Sequence, residues 1–426
     1  LALITTMLVP IAYIQPYLFG KLLREAARKT IQRSQKVFKE LQEMFSHIQL
    51  VKAFGKGEEA VKRFEKIFSE KMNYELENAK LSNISGFSSS VLNKALGGVI
   101  ALYGGYEVIK GTTTLGSLTA VMIYLTQVLG LLKSIGTLYE TTAVNSVNRH
   151  RVAEILDIKP IMRDEKDSFD GCIDKGRIEF SDISFCYKKG TFILKDISFS
   201  IEAGSKIALV GLSGCGKTTI LSLISRLYEQ EKGLVLIDGV DTRNIKLVSL
   251  RSKISLALQE PYLWNDTILN NILYGADSSA TLEDAMGAAR LAEVHEFIMR
   301  LPDKYNSDIG EMGCNISEGQ KQRISMARSI IKRPKILILD EAMASLDSHT
   351  EDKIIKNIFS ELKDSTVIMV SHRLSTVKNM ERVYFLENPS SIKIGTHEEL
   401  LARNLKYREI FASQLSSAGE NKMFII

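Results

Sequence analysis

Residues 211 to 218, Gly-Leu-Ser-Gly-Cys-Gly-Lys-Thr, fit the pattern G-x-x-x-x-G-K-[ST]; they follow the apolar run Lys206 to Val210 and open an apolar, helix-like stretch. This junction constrains the fold more than any other feature of the chain. Gly211, Gly214 and Gly216 let successive backbone N–H groups turn inward toward phosphate oxygens, and the helix that follows adds the positive end of its dipole. Lys217 brings charge to the β- and γ-phosphates, and the Thr218 hydroxyl suits a Mg²⁺ ligand. Strand, loop and helix in that order belong to a mostly parallel α/β core. Lys335 to Leu339 and Thr366 to Val370, each followed by a helix-like stretch, provide further strands of that kind. Ahead of them, residues 178 to 201 alternate apolar and polar positions (Ile178, Phe180, Ile183, Phe185, Tyr187), the pattern of half-buried antiparallel strands.

The run Ile336-Leu337-Ile338-Leu339 ends in two carboxylates, Asp340 and Glu341. Asp340 at a strand end suits a direct or outer Mg²⁺ role, and Glu341 is placed to polarise a water in line with a γ-phosphate. Alone, such a pair reads as a solvated loop; beside a phosphate loop it reads as nucleotide hydrolysis. Cys215, at a helix N-terminus two residues before Lys217, is either an activated thiolate or a small stand-in for serine.

The front of the chain obeys a different pattern. Its 426 residues exceed one compact core. Residues 1 to 20 carry no charge before Lys21, about the length that crosses a bilayer. With no basic start and no small-residue cleavage site, they read as a membrane helix of a protein that begins upstream, and not as a signal peptide. Arg24, Arg28, Lys29, Arg33, Lys36 and Lys39 crowd the next segment, which places Lys21 to Lys80 on the cytoplasmic side. Leu81 to Ile109 and Leu115 to Leu132 then read as a helical hairpin in the bilayer, with a short turn over residues 110 to 114. Lys94 interrupts the first of these, so its ammonium either snorkels to the inner surface or faces a polar cavity. Beyond Leu132 the helix continues to Asp157, and the polar stretch Arg163 to Gly176 reads as part of a linker. A net charge of +5, without a basic tail or patch, argues against nucleic acid as a partner. Cys172, Cys186, Cys215 and Cys314 have neither CxxC spacing nor a zinc pattern and read as mostly buried, reduced thiols.

Between the phosphate loop and Asp340, Ile316-Ser317-Glu318-Gly319-Gln320 resembles the LSGGQ signature of ABC ATPases, with Glu318 where that family usually has glycine. The neighbouring pieces are similar to the family in kind and order. Tyr187 stands where the adenine-stacking aromatic lies, Gln259 in the Q-loop, Ser345-Leu346-Asp347 in the D-loop and His372 as the switch histidine. Ser307 to Gly313 resembles an exporter segment, with Met312 in place of the usual arginine; Gly395 to Leu401 resembles the exporters' closing motif. Ile48 to Phe54 is similar to the cytoplasmic coupling segment of a half-transporter.

The resemblance implies an all-α transmembrane segment over residues 1–157, a linker over 158–176 and an ABC nucleotide-binding domain over 177–426. That domain would combine an α/β P-loop core with an antiparallel β subdomain and a helical subdomain. The first membrane helices would precede residue 1. It further implies ATP-driven export of an unidentified solute by an integral, multi-pass protein of a bacterial cell membrane, its ATPase domain cytoplasmic. The cofactors would be ATP and Mg²⁺, and the partner a second half-transporter, identical or different. Nucleotide would be held by Tyr187, Gly211 through Thr219, and, from the other chain, Ser317, Gly319, Gln320 and Asp347. Thr218, Gln259 and Asp340 would hold the metal, while Glu341, His372 and Gln259 would act in catalysis. The competing readings are a subunit degenerate at Glu318 and a soluble ABC ATPase.

Overall fold

The computed structural model describes residues 2–158, 162–164, 168–171, 173–188, 190–310 and 315–417; for 2–18 and most of 129–151 the backbone alone is described. Cys172, Cys314, Met312 and parts of the linker and of the exporter-like segment lie outside the described residues. The chain divides into two compact units, Leu1–Lys159 and Pro160–Ile426.

The first unit is helical: α1 (Ala2–Ser46), α2 (Ile48–Ala53), α3 (Gly57–Ile109) and α4 (Leu115–Leu156). Gly111, at φ 75°, closes the turn between α3 and α4, and the Thr114 side chain caps α4 by accepting from the Ser117 N–H. α1 and α3 pack along their length and are tied by ion pairs, Arg33 to Glu70 at 2.6 Å and Arg63 to Glu40 at 2.7 Å. Ile48, Leu50 and Phe54, in and just after α2, stand exposed at the tip of this pair.

Among the described residues no helix is long and apolar enough to cross a membrane. In α3 the expected span is diluted by Asn83, Ser85, Gly86, Ser88, Ser89, Ser90, Asn93 and Lys94, while the apolar side chains of residues 2–18 and those near 132 fall outside the description. Lys94 is exposed and lines an open cavity of about 400 Å³ between α3 and α4, with Ser89, Ser90, Asn93 and Thr126 beside it.

The second unit opens with β1 (Ile178–Phe185), β2 (Leu194–Ile201) and β3 (Lys206–Gly211), then α5 (Lys217–Ile224), β4 (Lys232–Ile237), β5 (Val240–Asp241), α6 (Leu247–Lys253) and β6 (Ile254–Ala257). A helical insertion follows: α7 (Ile268–Leu273), α8 (Leu282–Leu291), α9 (His295–Met299) and α10 (Glu318–Ile330). The chain then alternates through β7 (Ile336–Asp340), α11 (Ser348–Glu361), β8 (Thr366–Val370), α12 (Leu374–Lys378), β9 (Arg382–Asn388) and β10 (Ser391–Gly395), and ends in α13 (His397–Arg403) and α14 (Leu405–Ser417).

Two sheets result, an antiparallel one ordered β2-β1-β4-β5 and a mixed one ordered β10-β9-β3-β8-β7-β6, in which β9, β3, β8, β7 and β6 are parallel. The central strands are buried on both faces, which is why they read as continuous apolar runs. Ile207, Leu209, Ile336, Ile338, Ile368 and Val370 pack toward α5 and the antiparallel sheet; Ala208, Val210, Leu337, Leu339, Val367 and Met369 pack toward α7, α8, α10 and α11. The alternation in β1 breaks between Phe180 and Ile183, where the register shifts and Asp182 takes φ 50°.

A single carboxylate anchors the entry to this unit. Asp238, in the turn between β4 and β5, accepts the N–H groups of Asp174, Lys175 and Gly176 on one oxygen (3.0, 3.0 and 3.1 Å) and that of Arg177 on the other (2.8 Å). Burial alone would raise its pKa, but these N–H donors outweigh it and hold the carboxyl below its usual range. The contribution to stability is therefore present above pH 3.8 and is lost as pH falls through the lower folded value. Asp238→Ala should cost about 1–2 kcal/mol at pH 7, a charged acceptor being worth somewhat more than a neutral one. Thermal melts of wild type and variant should converge on acidification below pH 3.8. A gap that widened there would overturn the assignment.

Candidate functional site

The parallel strands deliver their C-terminal ends to one edge of the sheet, where β3 runs into the loop 211–216, β7 into Glu341 and β8 into His372. Gly214 and Gly216 have φ 78° and 107°, a region costly for any side chain, and the loop needs both. Crowding adds to this, since a Cβ on Gly211 would lie 2.7 Å from both Cys215 Sγ and Leu386 O. Lys217 opens α5, and its buried ammonium donates to Gly211 O at 2.7 Å and Leu212 O at 3.0 Å. The loop curls around that charge while Leu212, Ser213, Gly214 and Thr218 remain exposed.

Thr218 Oγ1 lies 3.3 Å from Asp340 Oδ2. Burial raises the Asp340 pKa, with the Thr218 hydrogen bond and Lys217 opposing it and Glu341 adding to it. Glu341 takes φ 48°, stabilised by its own N–H donating to Val370 O at 3.2 Å, and its Oε1 lies 3.4 Å from His372 Nε2. Burial, reinforced by Lys217, lowers the His372 pKa against the pull of Glu341, so the imidazole is neutral at pH 7. A backbone conformation that costs on the order of 1–3 kcal/mol is kept here, at two acidic groups facing a lysine and a histidine.

Tyr187 stands half-exposed, edge-on to Phe185 (4.9 Å) and Tyr228 (5.1 Å), its hydroxyl 3.1 Å from Thr219 Oγ1. An aromatic face is thereby fixed over the start of α5. Gln259 is exposed in the loop after β6, at the same sheet edge. Thr218 and Asp340 supply two hard oxygens in contact, which fits Mg²⁺, an ion held by one or two protein oxygens together with phosphate and water.

Ser317 caps α10: its hydroxyl accepts the Gln320 N–H at 3.4 Å, and Gln320 Oε1 accepts the Ser317 N–H at 2.8 Å. Ser317 and Glu318 are exposed, and Glu318 Oε2 lies 3.8 Å from Lys321 Nζ. Asp347 caps α11 by accepting the Thr350 N–H at 3.0 Å. A Cβ on Gly319 would lie 3.3 Å from Leu346, so the signature and the segment 345–347 are packed together. Gln322 reinforces this by accepting the Ser345 N–H at 3.2 Å and its hydroxyl at 2.6 Å.

Several contributors have no sequence signature. Arg373 donates to Leu346 O and Ala344 O, both at 2.8 Å, and to the buried Glu351, linking β8 to the segment after β7. Gln322, Glu351 and Tyr228 matter through partners 22 to 43 residues away, which periodicity cannot register.

A family model described as ABC transporter matches residues 194–344, and one described as ABC transporter transmembrane region matches residues 1–132. An ATP-dependent lipid A-core flippase of Desulfotalea psychrophila is 36% identical over 415 residues, covering 97% of this chain and 72% of that protein. A heavy metal tolerance protein of Schizosaccharomyces pombe is 37% identical over 325 residues, covering 75% of this chain and 39% of that protein. Among solved structures, a bacterial Atm1-family ABC exporter with ATP bound superposes with a TM-score of 0.89 at 29% identity, covering 96% of this chain and 72% of that one.

At Cys215 burial raises the thiol pKa against Lys217 and the backbone N–H groups, which favours the small side chain over the activated thiolate. Its alkylation at pH 7 should be slower than that of a thiol titrating at 9.0, and its rate should go on rising with pH past that value where the ordinary thiol levels off. Cys215→Ser should hydrolyse ATP within about twofold of wild type, an isosteric change leaving the transition-state contacts in place. Rapid alkylation at pH 7 would restore the thiolate reading.

Proposed function

Because this chain belongs to the ABC transporter family, as a half-transporter with a membrane region and an ATP-hydrolysing domain, we propose that the edge formed by Gly211 to Thr219, Asp340, Glu341 and His372 is its hydrolytic ATP site. ATP hydrolysis drives export of a solute across the membrane, and the transmembrane-region match removes the soluble alternative. The observation that carries the site is the convergence of Lys217, Thr218, Asp340, Glu341 and His372, from three adjacent parallel strands, with hydroxyl, carboxylates and imidazole within 3.4 Å of a neighbour.

In this reading Lys217 transfers its two carbonyl hydrogen bonds to phosphate oxygens, and the loop N–H groups bind the remainder. Tyr187 stacks on the adenine. Thr218, Asp340 and, from the loop after β6, Gln259 would hold Mg²⁺, which would supply positive charge to the phosphates. Glu341 accepts a proton as a water oxygen bonds to the γ-phosphorus and the bond to the β-phosphate bridging oxygen breaks, giving ADP and phosphate. The neutral His372, with its proton on Nε2, orients that carboxylate. Ser317 and Asp347, which are exposed, together with Gly319 and Gln320 complete the site of a second half-transporter, identical or different, so that two chains enclose two nucleotides. The segment Ile48 to Phe54, in which Ile48, Leu50 and Phe54 are exposed, is the coupling segment of the half-transporter in this reading.

Similarity to bacterial proteins over 96–97% of the chain supports a bacterial cell membrane, with the ATP site on the cytoplasmic side. A lipid-flippase relative, together with the Lys94 cavity, supports an amphiphilic cargo.

Lys217→Ala should abolish ATP binding, while Glu341→Gln should preserve binding and reduce turnover at least a hundredfold, as expected for loss of the group that activates water. Nucleotide binding and phosphate release on the reconstituted protein measure both; wild-type turnover in Glu341→Gln would remove Glu341 from the chemistry.

Glu318 distinguishes an active subunit from a degenerate one. In the first turn of α10 a carboxylate gains roughly 0.3–1 kcal/mol from the helix dipole, and its exposure beside Lys321 screens it from a partner's phosphate. Glu318→Gly should therefore change turnover less than about tenfold, or roughly 1.4 kcal/mol. Ser317→Ala should do more damage. A hundredfold gain in Glu318→Gly would identify a subunit whose own signature is impaired.

A further inference from the structure

The loop that carries His372 lacks packing on one side. A cavity of about 140 Å³ lies against it, lined by Glu341, Ala344, Val370, Ser371, His372 and Arg373 among others. Hydrogen bonds hold the backbone on either side of His372. One group supplies two of them, on either side of the histidine: the side-chain amide of Gln414 donates through Nε2 to His372 O at 2.8 Å and accepts the Leu374 N–H through Oε1 at 2.8 Å. Arg373, between those two partners, is held separately through Ala344 O, Leu346 O and Glu351.

Gln414 can do this because α14 is docked rigidly. Tyr407, Phe411 and Gln414 recur at i, i+4 and i+7, one face of the helix. Tyr407 and Phe411 are fully buried, their rings 5.1 Å apart; Tyr407 packs on Phe385 of β9 at 5.3 Å and its hydroxyl meets His397 Nδ1 at 2.9 Å. The far end of that face reaches the loop after β8, two strands away in the sheet.

We propose that Gln414 is a positioning residue for hydrolysis, clamping the backbone around His372 so that the imidazole stays against Glu341. The proposal rests on the catalytic reading of Glu341 and His372. Its lever is geometry: a catalytic group displaced by about 1 Å can lose on the order of a hundredfold in rate. Release of one of two anchors, with Arg373 still holding, should cost about tenfold.

The test is a double-mutant cycle on the full-length reconstituted transporter, using Gln414→Ala, Gln414→Glu, His372→Ala and the Gln414→Ala/His372→Ala pair, with kcat, KM for ATP and melting temperature measured for each. Gln414→Ala should lower kcat about tenfold with KM within about twofold, because Lys217 and Tyr187 are untouched. Gln414→Glu, which keeps the acceptor for Leu374 but loses the donor to His372 O, should be at least as slow. In the His372→Ala background, removal of Gln414 should cost nothing more. Wild-type kcat in Gln414→Ala, losses in the pair that simply multiply, or a fall confined to melting temperature and ATP binding would each overturn the clamp. If His372→Ala itself turned over normally, the catalytic reading beneath the proposal would fail instead.

Discussion

The parallel pairing of β3, β8 and β7 is the constraint on which the second unit depends. Leu209 and Asp340 both register with Val370, so Gly211, Glu341 and His372 must emerge at the same edge of the sheet. No antiparallel arrangement of these three strands would bring their following loops together. The register is in turn held by burial on both faces, Ile338 and Ile368 on one side and Leu337 and Met369 on the other; a slip by one residue would exchange every one of those contacts.

The same pairing gathers groups that resist being gathered. Asp340 is desolvated, Glu341 sits in the left-handed region and His372 is held neutral, each a departure from what the isolated residue prefers. Such costs persist where the surrounding structure over-determines the geometry. Here that structure is an apolar sheet fixed by two cores, together with a polar network in which Gln322 joins α10 to Ser345 and Arg373 joins Leu346 to the loop after β8. α10 is thereby joined to the segment after β7, and that segment through Arg373 to the loop that carries His372.

The phosphate loop and the strand ending in Asp340 and Glu341 were legible because each is local: the chemistry and its backbone context lie within a few residues of one another. The antiparallel strands were legible up to Asp182, where a positive φ shifts the register that the alternation implies. Cys215 was ambiguous because its neighbours in sequence favour a thiolate, while its burial, a tertiary property, opposes it. Arg373 with Glu351 and Gln414 with His372 leave no pattern at all, since each pair is joined by the fold alone. In the first unit, Ser89, Ser90, Asn93 and Lys94, which weaken a membrane reading, line a cavity that only the packing of α3 on α4 creates.

The central claim, that the phosphate loop of one chain works with the signature of another, is tested most directly by placing two lesions in mixed dimers and counting ATP molecules occluded per dimer. With Lys217→Ala on one chain and Ser317→Ala on its partner, both lesions fall in the same composite site, and the intact site should retain one ATP. With both substitutions on one chain and a wild-type partner, each site carries one lesion and none should be retained. The reverse pattern, one ATP held when the lesions share a chain and none when they are separated, would contradict the account and place the signature in its own chain's site.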